Sequence, residues 1–219
     1  MTNRKRIAVV LSGCGVYDGS EIHEATLSLL AVVRNGAEYE VFAPDVKQAH
    51  VINHVNGQVT HEERNVLLES ARIARGKIRP LSAFKADEFD GLLFPGGFGA
   101  AKNLSTYAFD GPEMKVNGDV EKAIRSMVKL NKPVGALCIA PVILARILGR
   151  VEITIGNDDS TAEHLRKMGA VHKKTGFGEV VVDKNHKIVT SAAYMLDANI
   201  AQVAEGADNT VKAMLKLME

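Results

Sequence analysis

The sequence predicts an α/β fold with a mostly parallel sheet and helices on both faces. Three observations carry that expectation. Short apolar β-type runs alternate with helical patterns, the 219 residues suit one α/β unit, and Cys138 lies where an apolar run passes directly into a helix.

Taken in order, Ile7–Leu11, Tyr39–Ala43, Gly91–Phe94, Val134–Leu137 and Val151–Ile155 read as strands, each a brief apolar run set off from the next by a helical segment. The first helix follows Gly19, where Asp18-Gly-Ser-Glu21 has capping-box spacing, and its apolar stripe is Ile22, Ala25, Leu29 and Val33. The interval from Pro44 to Pro80 is longer than a simple crossover. It contains a hairpin signal at Asn56-Gly57 and a helix from about Glu62 to Ala74, and reads as an insertion beside the sheet. Glu179–Asp183 and Lys187–Thr190 flank Lys184-Asn-His186 as an antiparallel hairpin, and the chain ends in a helix broken near Gly206. No repeat, low-complexity segment or linker divides the chain, so a single domain over residues 1–219 is expected.

A net charge of +1 with interspersed signs, and only 5% aromatic residues, show no nucleic-acid or membrane footprint. Small neutral or weakly charged molecules are the expected partners. No disulfide or metal is needed to hold a core of this size. The two cysteines, Cys14 and Cys138, belong to different expected strands and read as free thiols in a reducing cytoplasm. Arg4–Arg6 followed by Leu11-Ser-Gly-Cys14 imitates a lipoprotein signal, but its apolar run is shorter than the roughly 7 residues such a segment needs.

Lys132-Pro-Val-Gly-Ala-Leu-Cys-Ile-Ala-Pro141 has the pattern of a nucleophile elbow. Ala136 and Ala140 leave room for a tight strand-to-helix turn, Pro141 suits the first helical turn, and Gly149 ends the helix. A thiol at a helix N-terminus meets unpaired N–H groups, so a depressed pKa is expected for Cys138. The residues alone also admit a small buried core cysteine. Two further unusual loops, Ser12–Ser20 with Cys14 and Pro95-Gly-Gly-Phe-Gly99, follow the first and third strands and would wall one pocket with the elbow at the carboxyl edge of the sheet. Gly96 and Gly97 permit close backbone approach, and the N–H groups of Gly97 and Ile139 are the candidate oxyanion donors.

In that order these features resemble the ThiJ/PfpI superfamily, related to the class I glutamine amidotransferases. Ser12–Glu24, the insertion through Asn53-His54, Pro95–Ser105 and Leu137-Cys-Ile-Ala-Pro141 are most similar to its ElbB subgroup, the enhancing lycopene biosynthesis proteins. The resemblance covers nearly the whole chain. It implies a flavodoxin-like three-layer sandwich, a homodimer, and glyoxalase-type conversion of glyoxal or related small dicarbonyls to hydroxy acids without an added cofactor. Cys138 matches the superfamily's nucleophile and Glu24 its partner carboxyl. Periodicity opposes the second match, because about 100° per residue places Glu24 opposite the stripe containing Ile22.

The chain also departs from the superfamily pattern. Ile139 stands where many members have histidine, and Ile155-Gly156-Asn157 where others bring one in. Ser191–Asp197 lacks the His-x-Glu of glutamine amidotransferases, which argues against glutaminase or peptidase activity. His23 and His54 remain as candidate bases if the insertion folds over the pocket, and slow turnover is expected without one. Two other readings stay open: a thiol redox sensor, and a binding protein without turnover. Gly13-x-Gly15-x-x-x-Gly19 with Asp45 weakly suggests a dinucleotide site, although Tyr17 and Asp18 crowd that loop.

Overall fold

The computed structural model describes residues 4–219. In chain order it runs β1 (Arg6–Val10), α1 (Ile22–Arg34), β2 (Glu38–Ala43), α2 (Val66–Ile73), β3 (Ile78–Pro80), β4 (Gly91–Phe94), α3 (Phe98–Lys102) and α4 (Tyr107–Asp110). There follow α5 (Gly118–Lys129), β5 (Val134–Leu137), α6 (Pro141–Leu148), β6 (Glu152–Ile153), α7 (Asp159–Lys167), β7 (Val171–His172), β8 (Val180–Asp183), β9 (Ile188–Ser191) and α8 (Ile200–Lys216).

Seven strands form the main sheet in the order β3-β2-β1-β4-β5-β9-β8, parallel except for the β8–β9 hairpin. Strand alternation divides the apolar side chains between two faces. Ala8 and Val10, with Leu92 and Phe94, pack under α5 and α6, whereas Ile7, Val9 and Leu11 pack against Ala25, Leu29 and Val32 of α1 and Val203, Ala207 and Val211 of α8. The result is the parallel sheet with helices on both faces that the alternating pattern predicts, in the flavodoxin-like three-layer form that the resemblance implies. Strand order runs outward in both directions from the β1–β4 pair, and such a reversal opens a crevice at the carboxyl ends of the strands.

Several sequence expectations need correction. Val151–Ile155 is buried apart from Glu152 but supplies no strand to the main sheet; its β6 pairs with β7 in a separate two-stranded sheet. The 44–80 interval is only partly an insertion, because α2 and β3 complete an α/β unit and β3 forms the sheet edge. Its helix starts at Val66 rather than Glu62, since the Asn65 side chain caps the Leu68 N–H at 3.0 Å. The turn at Asn56-Gly57 does form, with Asn53 N–H donating to Gln58 O at 2.9 Å. α8 runs unbroken through Gly206, which is there for close packing: a Cβ at that point would lie 2.8 Å from Ser191 Oγ.

Candidate active site

The Cys138 turn is an elbow in fact. Cys138 has φ 59°, a left-handed conformation rare for a side-chain-bearing residue, and α6 begins three residues later at Pro141. The Cys138 N–H donates to Ser191 O at 2.9 Å, so the β5–β9 ladder holds the thiol at the end of its strand. Backbone N–H groups of Gly97 and Ile139 both point at the sulfur as hydrogen-bond donors. These are the two groups predicted as oxyanion donors.

Glu24 is fully buried and reaches the same point. Its Oε2 accepts from the Gly96 N–H at 2.8 Å, its Oε1 accepts from the Tyr194 N–H at 3.2 Å, and its carboxyl hydrogen-bonds with Cys138. Helical periodicity misplaced it because the stripe was the wrong one. Ile22 is 45% exposed and Val33 56% exposed, whereas the inward face of α1 carries Glu24, Ala25, Ser28, Leu29 and Val32. The capping box is also absent. Glu21 is the N-cap and accepts from the Glu24 N–H at 2.6 Å, while Asp18 turns to the Ile52 N–H at 2.7 Å.

Gly96 is squeezed between nucleophile and carboxyl. A Cβ there would stand 2.4 Å from Cys138 Cβ and 2.6 Å from Glu24 Oε2, so only glycine permits this approach. Gly97, with φ 95°, turns its N–H toward the sulfur.

The electrostatics correct the expectation of an acidified thiol. Burial, and then the charge of Glu24, push Cys138 well above its ordinary value, and the Gly97 and Ile139 N–H groups only partly oppose them. Burial and the charge of Glu21 raise Glu24 from 4.5 to about 7. Below about 7 the Cys138–Glu24 pair therefore carries two protons, and above it one, which stays on the thiol while Glu24 is ionised.

Beside the thiol lies a cavity of about 370 Å³ lined by Val16, Glu21, Gly97, Phe98, Ala101, Tyr107, Ala108, Cys138, Ile139, Asp158, Thr161, Tyr194 and Met195. The three predicted loops contribute, as does the turn after β9. The other candidates stand elsewhere. His54, from the 44–80 interval, packs against the first loop: its Nε2 accepts from the Tyr17 N–H at 3.2 Å and its Nδ1 faces Ile52 O at 3.0 Å. His23 is exposed, with Nδ1 2.8 Å from the Tyr194 hydroxyl, outside the cavity wall. Asn157 is exposed, and its neighbour Asp158 takes the place in the wall. Cys14 is half-buried within the first loop, close to the charges of Glu69 and Arg72.

The dinucleotide reading loses its cradle. A Cβ at Gly19 would meet the Cys14 nitrogen at 2.3 Å and one at Gly15 would meet His54 Nε2 at 2.6 Å, so these glycines serve the loop's own packing. Asp45 already accepts from Asn65 at 2.7 Å. Sequence reasoning missed Asp158, Thr161 and Tyr107, which come from short or late elements and match no motif.

Comparison with known proteins identifies the family. The chain is 47% identical to the rat ES1 protein homolog, mitochondrial, over 98% of this chain and 84% of that protein. It is 47% identical to the human glutamine amidotransferase-like class 1 domain-containing protein 3, mitochondrial, over 97% of this chain and 83% of that one. Both relatives are mitochondrial, which overturns the cytoplasmic expectation. The crystal structure of an isoprenoid biosynthesis protein with an amidotransferase-like domain from Ehrlichia chaffeensis superposes with a TM-score of 0.89 at 36% identity, covering 96% of this chain and 99% of that one. Glyoxalase III from Candida albicans shares the fold, with a TM-score of 0.62 at 15% identity over 98% of each chain. The DJ-1/PfpI family model matches residues 15–203, and with these relatives it places the chain in the DJ-1/PfpI family.

Proposed function

We propose that this chain is a slow, cysteine-dependent glyoxalase-type enzyme that converts small dicarbonyls to hydroxy acids. The observation that carries the reading is the convergence of Cys138, the Glu24 carboxyl and the Gly97 and Ile139 N–H groups at one cavity. A solved glyoxalase III that shares this fold supports it at that level.

The chemistry follows from the shared proton. Ionised Glu24 takes the thiol proton as the sulfur adds to one aldehyde carbon, and the new alkoxide lies within reach of the two N–H donors. Glu24 then returns that proton to the alkoxide oxygen and removes the hydrogen from the same carbon. Protonation of the second carbon leaves a hydroxyacyl thioester, water cleaves the C–S bond, and the thiol recovers its proton. One carbon is oxidised as the other is reduced, so the sequence balances with water alone. A base titrating at about 7 suits this task near neutrality, although no histidine assists it.

Glyoxal mixed with the pure protein should yield glycolate, and mass spectrometry of quenched samples should find one glyoxal equivalent on Cys138. No hydroxy acid from any small dicarbonyl would sink the proposal. Reversible peroxide oxidation of Cys138 without turnover would instead support the redox-sensor reading.

A further inference from the structure

The cavity beside Cys138 exceeds what glyoxal needs. Its volume of about 370 Å³ lies within the range of about 300 to 1,000 Å³ that holds drug-sized ligands, whereas glyoxal has four non-hydrogen atoms. The surplus space is bounded by apolar and aromatic side chains, among them Val16, Phe98, Tyr107 and Met195.

Its charge has one sign. Glu21 and Asp158 are the ionisable oxygen acids on the wall apart from tyrosines, and no Lys, Arg or His among the described residues lines it. Nearby cations are turned elsewhere. Lys102 donates to Tyr17 O at 2.9 Å, Lys174 pairs with Asp159 at 3.0 Å, and His164 stands behind Tyr107, whose hydroxyl it meets at 2.9 Å. Asp158 accepts from the Thr161 N–H at 2.7 Å as the N-cap of α7 and has no salt-bridge partner among the described residues.

We infer that the cavity selects uncharged or cationic 2-oxoaldehydes with an apolar or aromatic body, and that Asp158 is a specificity-determining residue that rejects anionic carbonyl compounds. The substrate class rests on the glyoxalase-type reading of Cys138 and Glu24; the charge selection rests on the wall itself. A carboxylate entering this space meets like charge from buried Glu21 and solvent-exposed Asp158 with no cation on the wall, which disfavours the anion by roughly tenfold.

The test uses phenylglyoxal, 4-carboxyphenylglyoxal and glyoxal on wild type and Asp158→Asn, a change that keeps a good N-cap residue. Wild type should prefer phenylglyoxal to glyoxal in kcat/KM, and prefer it to the carboxylated analogue by roughly tenfold. Asp158→Asn should narrow the second ratio at least threefold. A readout independent of turnover is the rate at which iodoacetamide and iodoacetate alkylate Cys138, a neutral and an anionic reagent of similar size; Asp158→Asn should narrow that ratio too. Equal kcat/KM for glyoxal and phenylglyoxal would overturn the substrate class. If no 2-oxoaldehyde is consumed, the glyoxalase-type reading falls and the alkylation ratios alone decide the selection. A ratio unchanged by Asp158→Asn overturns the role of Asp158.

Discussion

The two cysteines make an internal comparison. Both thiols are raised, each first by burial and next by a carboxylate, Glu24 for Cys138 and Glu69 for Cys14. The carboxylates differ in their partners. Glu69 is tied to Arg72 at 2.8 Å and to Arg64 at 3.5 Å, so its charge is already matched. Glu24 has only N–H donors and the thiol, and its own pKa rises to about 7. A carboxylate without a cation can exchange a proton with a neighbouring thiol at neutral pH, whereas a paired one cannot. The reactive region is therefore marked by what the acid lacks, not by the acidity of the thiol.

The largest expected effect tests the contrast directly. Cys138→Ala should reduce glycolate formation to background, while Cys14→Ala retains most of it, as followed by chromatography of the hydroxy acid. Comparable losses in both variants would erase the distinction.

Next comes Glu24→Gln, which should lower kcat by about 10² to 10⁴, the usual contribution of a positioned base. Removing the negative charge beside the sulfur should also shift the midpoint of Cys138 alkylation downward, because that charge helps raise the thiol. Slower turnover with an easier thiolate separates proton transfer from simple electrostatics. An unchanged alkylation midpoint would remove Glu24 from the pair. In wild type, turnover should rise with pH through a limb near 7, where Glu24 ionises.

Gly96→Ala should cost about 10² in kcat. Its Cβ would displace Cys138 or Glu24 from contacts of 2.4 and 2.6 Å, and misplacement by about 1 Å has that scale of consequence. Wild-type activity in Gly96→Ala would mean that the close approach is irrelevant to the chemistry.

The same pair should leave a mark on stability. Folded Glu24 titrates at about 7 against 4.5 when free. Below 4.5 both states are neutral, so the burial of Glu24 carries no penalty. Between 4.5 and 7 the unfolded chain ionises while the folded one holds its proton, and stability falls as pH rises, levelling off above 7. At 1.36 kcal/mol per unit the loss is about 3 kcal/mol. Urea unfolding from acid to mildly basic pH should show wild type lose about that much stability relative to Glu24→Gln as pH rises. A pH-independent difference would contradict the raised pKa.

Much of this contrast was legible in the sequence, but unevenly. The strands β1, β2, β4 and β5 announce themselves as apolar runs, and the Cys138 elbow by its small neighbours, because sterics leave few alternatives there. β3 did not, since Ile78-Arg-Pro80 is three residues with a proline at the sheet edge. Glu24 was found by resemblance and opposed by periodicity, because the buried face of α1 includes a carboxyl and Ser28 while Ile22 and Val33 face out. A hydrophobic stripe cannot reveal a functional polar group on the buried side. Asp158 remained invisible because its place depends on how α7 docks over the cavity, a tertiary fact with no local signal.

His54→Ala is expected to have the smallest effect, and it probes the Cys14 side of the comparison. The imidazole is a candidate base from sequence, yet both ring nitrogens are engaged, by Tyr17 of the first loop and by Ile52 of its own segment, and its ring lies 5.0 Å from that of Tyr17. It does not line the cavity. Losing it removes two partly exposed hydrogen bonds and some packing against Gly15, which should lower stability by about 1 kcal/mol. Turnover should stay within about twofold of wild type, far below the 10² to 10⁴ expected for a general base. Thermal unfolding and glycolate formation measured on the same preparation check both halves. A large drop in kcat with unchanged stability would mean that the first loop closes over Cys138 during catalysis and that the two cysteine regions act together rather than apart.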